Sequence, residues 1–472
     1  MFFEAEIIMK KYPPEFRQQI KLFLLLVICL SSTAVYAQGG DRAGATPLQP
    51  VITSQYLPPE EVMTAPPVSI PFSIPSSPIP DEEINCRQSF PCWETDSEES
   101  SFHLFRSGSR LRFNGWVESG LYTNAHGATA KYGPHGGGLQ ENSGNGPIFG
   151  PGLRTTNFNM NQLWGRFARE MDCASSLDWG FQADLLYGMS AYDVQSSESF
   201  DNGWGKGDYG LGFHQLYGEV GYKRLSALYG KFGTPIGWEE TASWENFFYS
   251  HSYCFNIEPL THTGALARFQ LTDDLKLIGG WSAGMESGFA NRYGDQSLIG
   301  GMEAALSKRS TLYYYMTQGR MKNGLDKDGF ARFDGGLDVD YFIQSLCFEW
   351  RPAGKWTLMC QYNLNRMHEI GGDRVSAYGI NNHLIYAIDE KWGIGFRAEW
   401  LRDNGVLAYE DALGNSNHSD YVQLTLGLNY RPTENLRIRP EIRYDHAFKT
   451  PIFAYGTKHE QLSGGFAVLY GF

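Results

Sequence analysis

The sequence predicts an all-β chain: a transmembrane antiparallel barrel of about sixteen strands, preceded by a Pro-rich extension. Three observations carry the prediction. Aromatic residues make up 15% of the chain, with 27 Tyr, 30 Phe and 12 Trp, beside 54 Gly and only 19% charged residues. Aromatics favour strands, and frequent Gly disfavours long helices. From Leu111 to the end, apolar and polar residues alternate, in runs of about ten, as on a strand whose two faces meet different surroundings. The connections between these runs alternate between short and long, as in outer-membrane barrels.

The remaining bulk properties agree. The chain has 472 residues and a net charge of −13, with a mean hydropathy of −0.35 and a pI near 5.4. That acidity excludes bulk nucleic-acid binding, because no basic surface is available to neutralise phosphates. The longest apolar stretch, Leu22–Leu30, is too short to cross a bilayer as a helix. Barrel strands escape that test, since their alternation hides the lipid face from an average.

The amino terminus reads as a signal for export. Lys10, Lys11, Arg17 and Lys21 are followed by the apolar Leu22–Leu30, and Val35-Tyr36-Ala37 offers a small-residue cleavage site. Met9 is an alternative start. Residues 38–108 form a linker on the periplasmic side. Prolines at 47, 50, 58, 59, 66, 67, 71, 75, 78, 80 and 91 exclude helix and central strand and favour extended polyproline II. Of seven cysteines, Cys29 leaves with the signal, and no C-x-x-C zinc spacing is present. An exported chain permits a Cys86–Cys92 disulfide without requiring it.

The strands follow in order: 111–123, 159–171, 178–188, 212–222, 225–232, 262–271, 275–284, 297–306, 310–318, 340–350, 355–365, 376–388, 391–402, 418–431, 435–446 and 461–472. In 435–446, Leu436, Ile438, Pro440, Ile442 and Tyr444 share one face, and Arg437, Arg439, Glu441, Arg443 and Asp445 the other. Short turns include Lys223-Arg224, Thr272–Asp274, Asp389-Glu390 and Pro432–Glu434. Long loops occupy 124–158, 189–211, 233–261, 285–296, 319–339, 366–375, 403–417 and 447–460. An even strand count returns both barrel ends to the short-turn side. Trp350 and Trp356 flank one short turn and belong to an interfacial aromatic girdle. Cys347 is expected toward the lumen and Cys360 toward lipid, so the two do not bond. On the last strand, Phe466, Val468, Tyr470 and the terminal Phe472 share a face, like the signal by which the barrel-assembly machinery recognises its clients.

Residues 228–264 read LYGKFGTPIGWEETASWENFFYSHSYCFNIEPLTHTG, and Gly279–Gly284 read GGWSAG. Over about 110–472 the chain resembles the OmpL-like family of outer-membrane β-barrel porins. The match is most specific at Gly230–Pro235 and Asn246–Asn256. The resemblance implies a bacterial outer-membrane pore for small hydrophilic solutes or ions, surrounded by lipid, with no cofactor. It leaves the solute open, and monomer or homo-oligomer equally open.

By analogy with general porins, the third long loop, 233–261, is expected to fold inward as a constriction. It carries Glu239, Glu240, Glu245 and Glu258 with the bulky Trp238, Phe247, Phe248, Tyr249, Tyr253 and Phe255. Alternation points Arg112, Arg166, Arg397, Arg437, Arg439 and Arg443 into the pore, where guanidiniums stay ionised. Acid on the loop facing base on the wall would set a transverse field across the passage. The competing reading is local neutralisation, because Glu118, Glu170, Glu399, Glu441 and Asp445 also face inward.

Other motifs point nowhere firm. Gly280-Trp281-Ser282-Ala283-Gly284 has the G-x-S-x-G pattern, but that chemistry needs a helix after the turn. His251 and His262 lack metal-ligand spacing. Asp326, Asp328, Asp334, Asp338 and Asp340 crowd the fifth loop without the EF-hand order. The Gly-rich run 133–152 precedes no helix and reads as an external loop. A barrel enzyme of lipase or protease type would need Ser, His and carboxylate on adjacent positions, and no such set assembles. A structural or adhesive barrel is the third class.

Overall fold

The computed structural model describes residues 110–126 and 158–472, apart from 175, 197–200, 202–204, 207–208, 290–293, 323–337, 353–354, 408–417 and 455. Alternating faces and β-prone aromatics produce sixteen wall strands: β1 (Leu111–Asn124), β2 (Asn159–Arg169), β3 (Asp178–Gly188), β4 (Tyr209–Tyr222), β5 (Leu225–Gly233), β6 (Thr261–Thr272), β7 (Leu275–Met285), β8 (Gln296–Ser307), β9 (Ser310–Met321), β10 (Val339–Trp350), β11 (Trp356–Glu369), β12 (Arg374–Ala387), β13 (Trp392–Asn404), β14 (Ser419–Thr433), β15 (Leu436–Ala447) and β16 (Glu460–Gly471). Each pairs antiparallel with the next, and β16 closes on β1 with Gly471 opposite Trp116. The closed sheet leaves no edge strand in the wall. A two-residue strand, Gly205–Lys206, pairs with β4 inside the second long loop.

One face of each strand is turned outward. Ile442, Tyr470, Leu462 and Trp356 expose 51%, 54%, 48% and 38% of their surface, while the inward neighbours Arg439, Arg443 and Leu469 are buried. On the short-turn side, Trp356 packs on Tyr386 at 4.5 Å and Trp392 on Tyr430 at 4.2 Å. Nearer the other rim, Tyr378 meets Trp400 at 5.8 Å. The eight steps from Trp392 to Trp400 rise about 20 Å at ~3.3 Å each and a tilt of ~40°, close to the height of an outer-membrane apolar band.

Strand placement follows the sequence reading to within a few residues. The sixth long loop is the correction. Expected at 366–375, it is only 370–373, because β11 and β12 run on as a projecting hairpin. Glu369 N–H donates to the Asp373 carbonyl at 3.1 Å, and Gly372 N–H to that of Glu369 at 3.0 Å. Polar side chains ended the alternation signal there, yet nothing stops polar residues pairing above the membrane.

Cys347 is buried and opposite Gln361, whereas Cys360 is opposite Phe348 on the outer face, and both are free thiols. Phe466, Val468, Tyr470 and Phe472 lie on the outward face. Phe472 exchanges two backbone hydrogen bonds of 2.9 Å with Gly115. The export signal, the linker, Cys86, Cys92, the run 133–152, Asp326, Asp328 and Asp334 lie outside the described residues. Asp340 pairs with Arg320 at 2.6 Å.

Candidate functional site: a wall-docked third loop and a lateral cavity

In a ring of sixteen, strands eight apart face each other. The third long loop, 234–260, leaves β5 and returns to β6, so the wall opposite is β13 and β14. The loop reaches that wall. Its only regular structure is two single 3-10 turns, Ser243–Glu245 and Phe255–Ile257. Its backbone therefore needs partners from elsewhere, and inward side chains of the wall supply them.

Carboxylates accept from its amides. Glu441 takes Tyr249 N–H at 2.8 Å and Ser250 N–H at 3.2 Å, and Glu399 takes Tyr253 and Cys254 N–H at 2.7 and 2.6 Å. Guanidiniums donate to its carbonyls. Arg437 reaches Trp244 O at 2.7 Å, and Arg439 reaches Ser243 O and Asn246 O, both at 2.8 Å. Arg443 reaches His251 O at 2.5 Å, and Arg397 reaches Ser250 O at 2.6 Å. Amides complete the set: Asn429 donates to Phe247 O at 2.7 Å and Asn365 to Ile257 O at 2.9 Å. Aromatic side chains fit where the wall has none. Phe248 packs beside Gly395 and Gly427, and a Cβ at either would lie within 3.0 Å of its ring.

Charge is settled within this seam. Arg397 pairs with Glu239 at 2.5 Å and Arg443 with Asp445 at 2.7 Å, and Arg439 pairs with Glu118. Burial pushes the Glu239 carboxyl up. Arg397, the neighbouring His383 and His251, and the Ser252 hydroxyl outweigh it and hold Glu239 at about 2. Burial instead pushes Glu258 well above the usual carboxylate range, where Gln361 at 2.5 Å and Asn363 hold it against β11. Trp238 donates to Glu349 of β10 at 3.3 Å. Tyr249 accepts from Asn161 at 2.8 Å, and Tyr253 donates to Asp445 at 3.0 Å.

The six arginines expected in the pore thus divide. Arg397, Arg437, Arg439 and Arg443 lie in the seam, each at most 4% exposed. The expected gap between acidic loop and basic wall is replaced by contact, since buried charges must pair or pay for desolvation. Arg112 and Arg166 instead line an open cavity of about 390 Å³ between the loop and the β1–β9 half of the wall.

Glu240 and Glu245 form the loop's edge of this cavity, opposite Arg268, Lys276 and Glu303. Arg112 pairs with Glu170 at 3.1 Å, and Arg166 with Asp184 at 2.9 Å and Glu245 at 3.4 Å. Arg268 pairs with Glu219 at 3.8 Å, and Lys276 with Glu303 at 2.7 Å. Burial, and then the adjacent Glu245, raise Glu240 to about 8. Of the residues the sequence reading missed, Glu349 beside the loop and Asp184, Glu219, Arg268, Lys276 and Glu303 around the cavity are charged, whereas the loop's partners Asn363, Asn365, Asn429, Gly395 and Gly427 are not. Their shared signal is small or amide side chains at inward positions.

Ser282 of the G-x-S-x-G run is buried in β7, with its hydroxyl 2.6 Å from that of Ser297. His251 stacks on Phe255 at 3.9 Å, and His262 meets the Thr234 hydroxyl at 3.2 Å. Among the described residues, no group of three or more metal-ligating side chains could hold an ion.

Solved structures similar to this barrel include three outer-membrane proteins. OmpT of Vibrio cholerae, in its trimer form, has 12% identity and a TM-score of 0.49 over 77% of this chain and 99% of that one. The outer membrane channel DcaP of Acinetobacter baumannii has 10% and 0.49 over 78% and 99%. An anion-selective porin from Comamonas acidovorans has 11% and 0.49 over 77% and 99%. No curated protein matches the chain. Residues 110–472, the whole barrel, match the family described as "Putative beta-barrel porin-2, OmpL-like", and the chain belongs to it.

Proposed function

We propose that this outer-membrane barrel is a passive diffusion porin in which the third loop narrows the lumen to an off-centre passage along β1–β9. The observation that carries the reading is the docking of the loop on the wall opposite its own ends. The loop is hydrogen-bonded to inward side chains of β10, β11 and β13–β15, and the cavity with Arg112 and Arg166 is lined by β1–β9. A backbone held by so many buried polar contacts is a fixed constriction rather than a swinging gate.

Ion preference follows from the lining. Arg112, Arg166, Arg268 and Lys276 each stand beside a carboxylate, so the passage offers many donors and acceptors with little net field. Small hydrophilic solutes and ions of either sign would pass. A catalytic role has no support in this lining: Ser282 is spent on Ser297 within the wall.

Recording from the refolded protein in planar bilayers tests the function. Discrete, ohmic conductance steps with a cation-to-anion permeability ratio within a few-fold of one are expected. A folded protein that inserts without conducting would overturn the porin reading, and a strong preference for one sign would overturn the neutralised lining.

A further inference from the structure

Resting on the porin reading above, we infer that the passage selects small zwitterions, of which the α-amino acid is the type, over uncharged solutes and single ions of the same size. The observation is a set of ion pairs left open to the lumen. In the seam, Arg443 and Asp445 expose 1% and 0% of their side chains, so nothing in transit reaches them. Around the cavity, Arg112 and Glu170 expose 34% and 37%, Arg166 and Glu245 24% and 22%, and Lys276 and Glu303 16% and 18%. All six line one space of about 390 Å³, within the range of roughly 300–1,000 Å³ that small-molecule sites occupy.

Strand register sets both signs side by side on two stretches of wall. Arg166 and Glu170 flank Ala168 on the inward side of β2, and Arg112 of β1 lies opposite that alanine. Further round, Lys276 of β7 lies opposite Glu303 of β8. Each pair is a dipole fixed in the wall, and a zwitterion is a dipole that aligns against it. The solute carboxylate takes the Arg112 guanidinium and its ammonium takes the Glu170 carboxylate, so no charge loses a partner. A single ion satisfies one member of the pair and leaves the other uncompensated in a partly desolvated lining. An uncharged solute forfeits the Coulomb attraction at both ends. Sugars gain little else here. Of the described Phe and Tyr rings that bound the cavity, Phe232 and Tyr315 are 2% and 1% exposed, which leaves Tyr217 as the face for stacking.

Efflux from loaded vesicles carrying the full chain tests this, with potassium and valinomycin holding the membrane potential near zero and leakage from protein-free vesicles subtracted. Alanine is compared with lactamide, which is uncharged, with lactate, a single anion, and with ethanolamine, a single cation. Alanine should leave at least threefold faster than each of the others. A rate for alanine matched by any of them would overturn the inference and leave the porin reading intact. No efflux of any of the four would overturn the porin reading, and this inference with it. The combined Arg112→Gln, Glu170→Gln, Lys276→Gln and Glu303→Gln variant keeps the net charge and removes two of the pairs. With its barrel confirmed by heat-modifiable migration, its alanine-to-lactamide ratio should fall by at least half. An unchanged ratio in the folded variant would show that these pairs do not select the solute. The comparison in the parent protein decides the inference whether or not the variant folds.

Discussion

Glu239 and Arg397 show what single residues do in this barrel. Each is buried, and their 2.5 Å pair sits where the loop tip meets the far wall. Replacing Glu239 with Gln keeps the shape but leaves the guanidinium uncompensated, which costs about 3–5 kcal/mol of local stability. Hydrogen exchange at Ser250–Cys254 should then speed by more than tenfold while the strands exchange as before. Unchanged exchange would show that the pair does not hold the loop. Glu240 behaves differently, because burial and Glu245 raise it from 4.5 to about 8. A raised carboxylate favours the docked loop when protonated, so that contribution is full at low pH and is lost as pH rises through about 8. Below this the cavity edge is neutral at Glu240, and above it one negative charge is added. Reversal potentials should move toward cations between about pH 6.5 and 9, and Glu240→Gln should abolish the movement. A shift that survives in the variant would assign it to another group.

At the scale of elements, inward and outward faces decide what each strand touches. Cysteines placed at Arg112 and Arg166 should react with water-soluble thiol reagents, and one at Ile442 should not. One at Arg439 should react only after the third loop is shortened. Reaction at Ile442 with protection at Arg112 would mean a register error of one residue, which turns every side chain over. These faces were legible in the sequence because lipid and lumen impose a period of two, and β15 shows it without exception from Leu436 to Tyr444. The hairpin above β11 and β12 was not legible, since above the membrane that period no longer constrains residue choice. The seam was half legible. Alternation put Arg397, Arg439 and Arg443 inside, but it carries no information about a loop packed against them. Nor does a loop that borrows its hydrogen bonds from distant strands leave a local pattern of its own.

For the whole molecule, closure and loop docking are separate events. Sixteen strands satisfy their backbone in the wall, and the third loop is satisfied by side chains of strands across the lumen. Removing the loop should therefore leave the barrel intact while widening its passage. Single-channel recording before and after replacing Trp238–Phe255 with a short Gly-Ser link measures this, with heat-modifiable migration confirming that the variant's barrel is folded. At least a twofold rise in conductance and admission of larger polymers to the pore are expected. A folded variant with the conductance and size limit of the parent would contradict the claim that this loop narrows the channel.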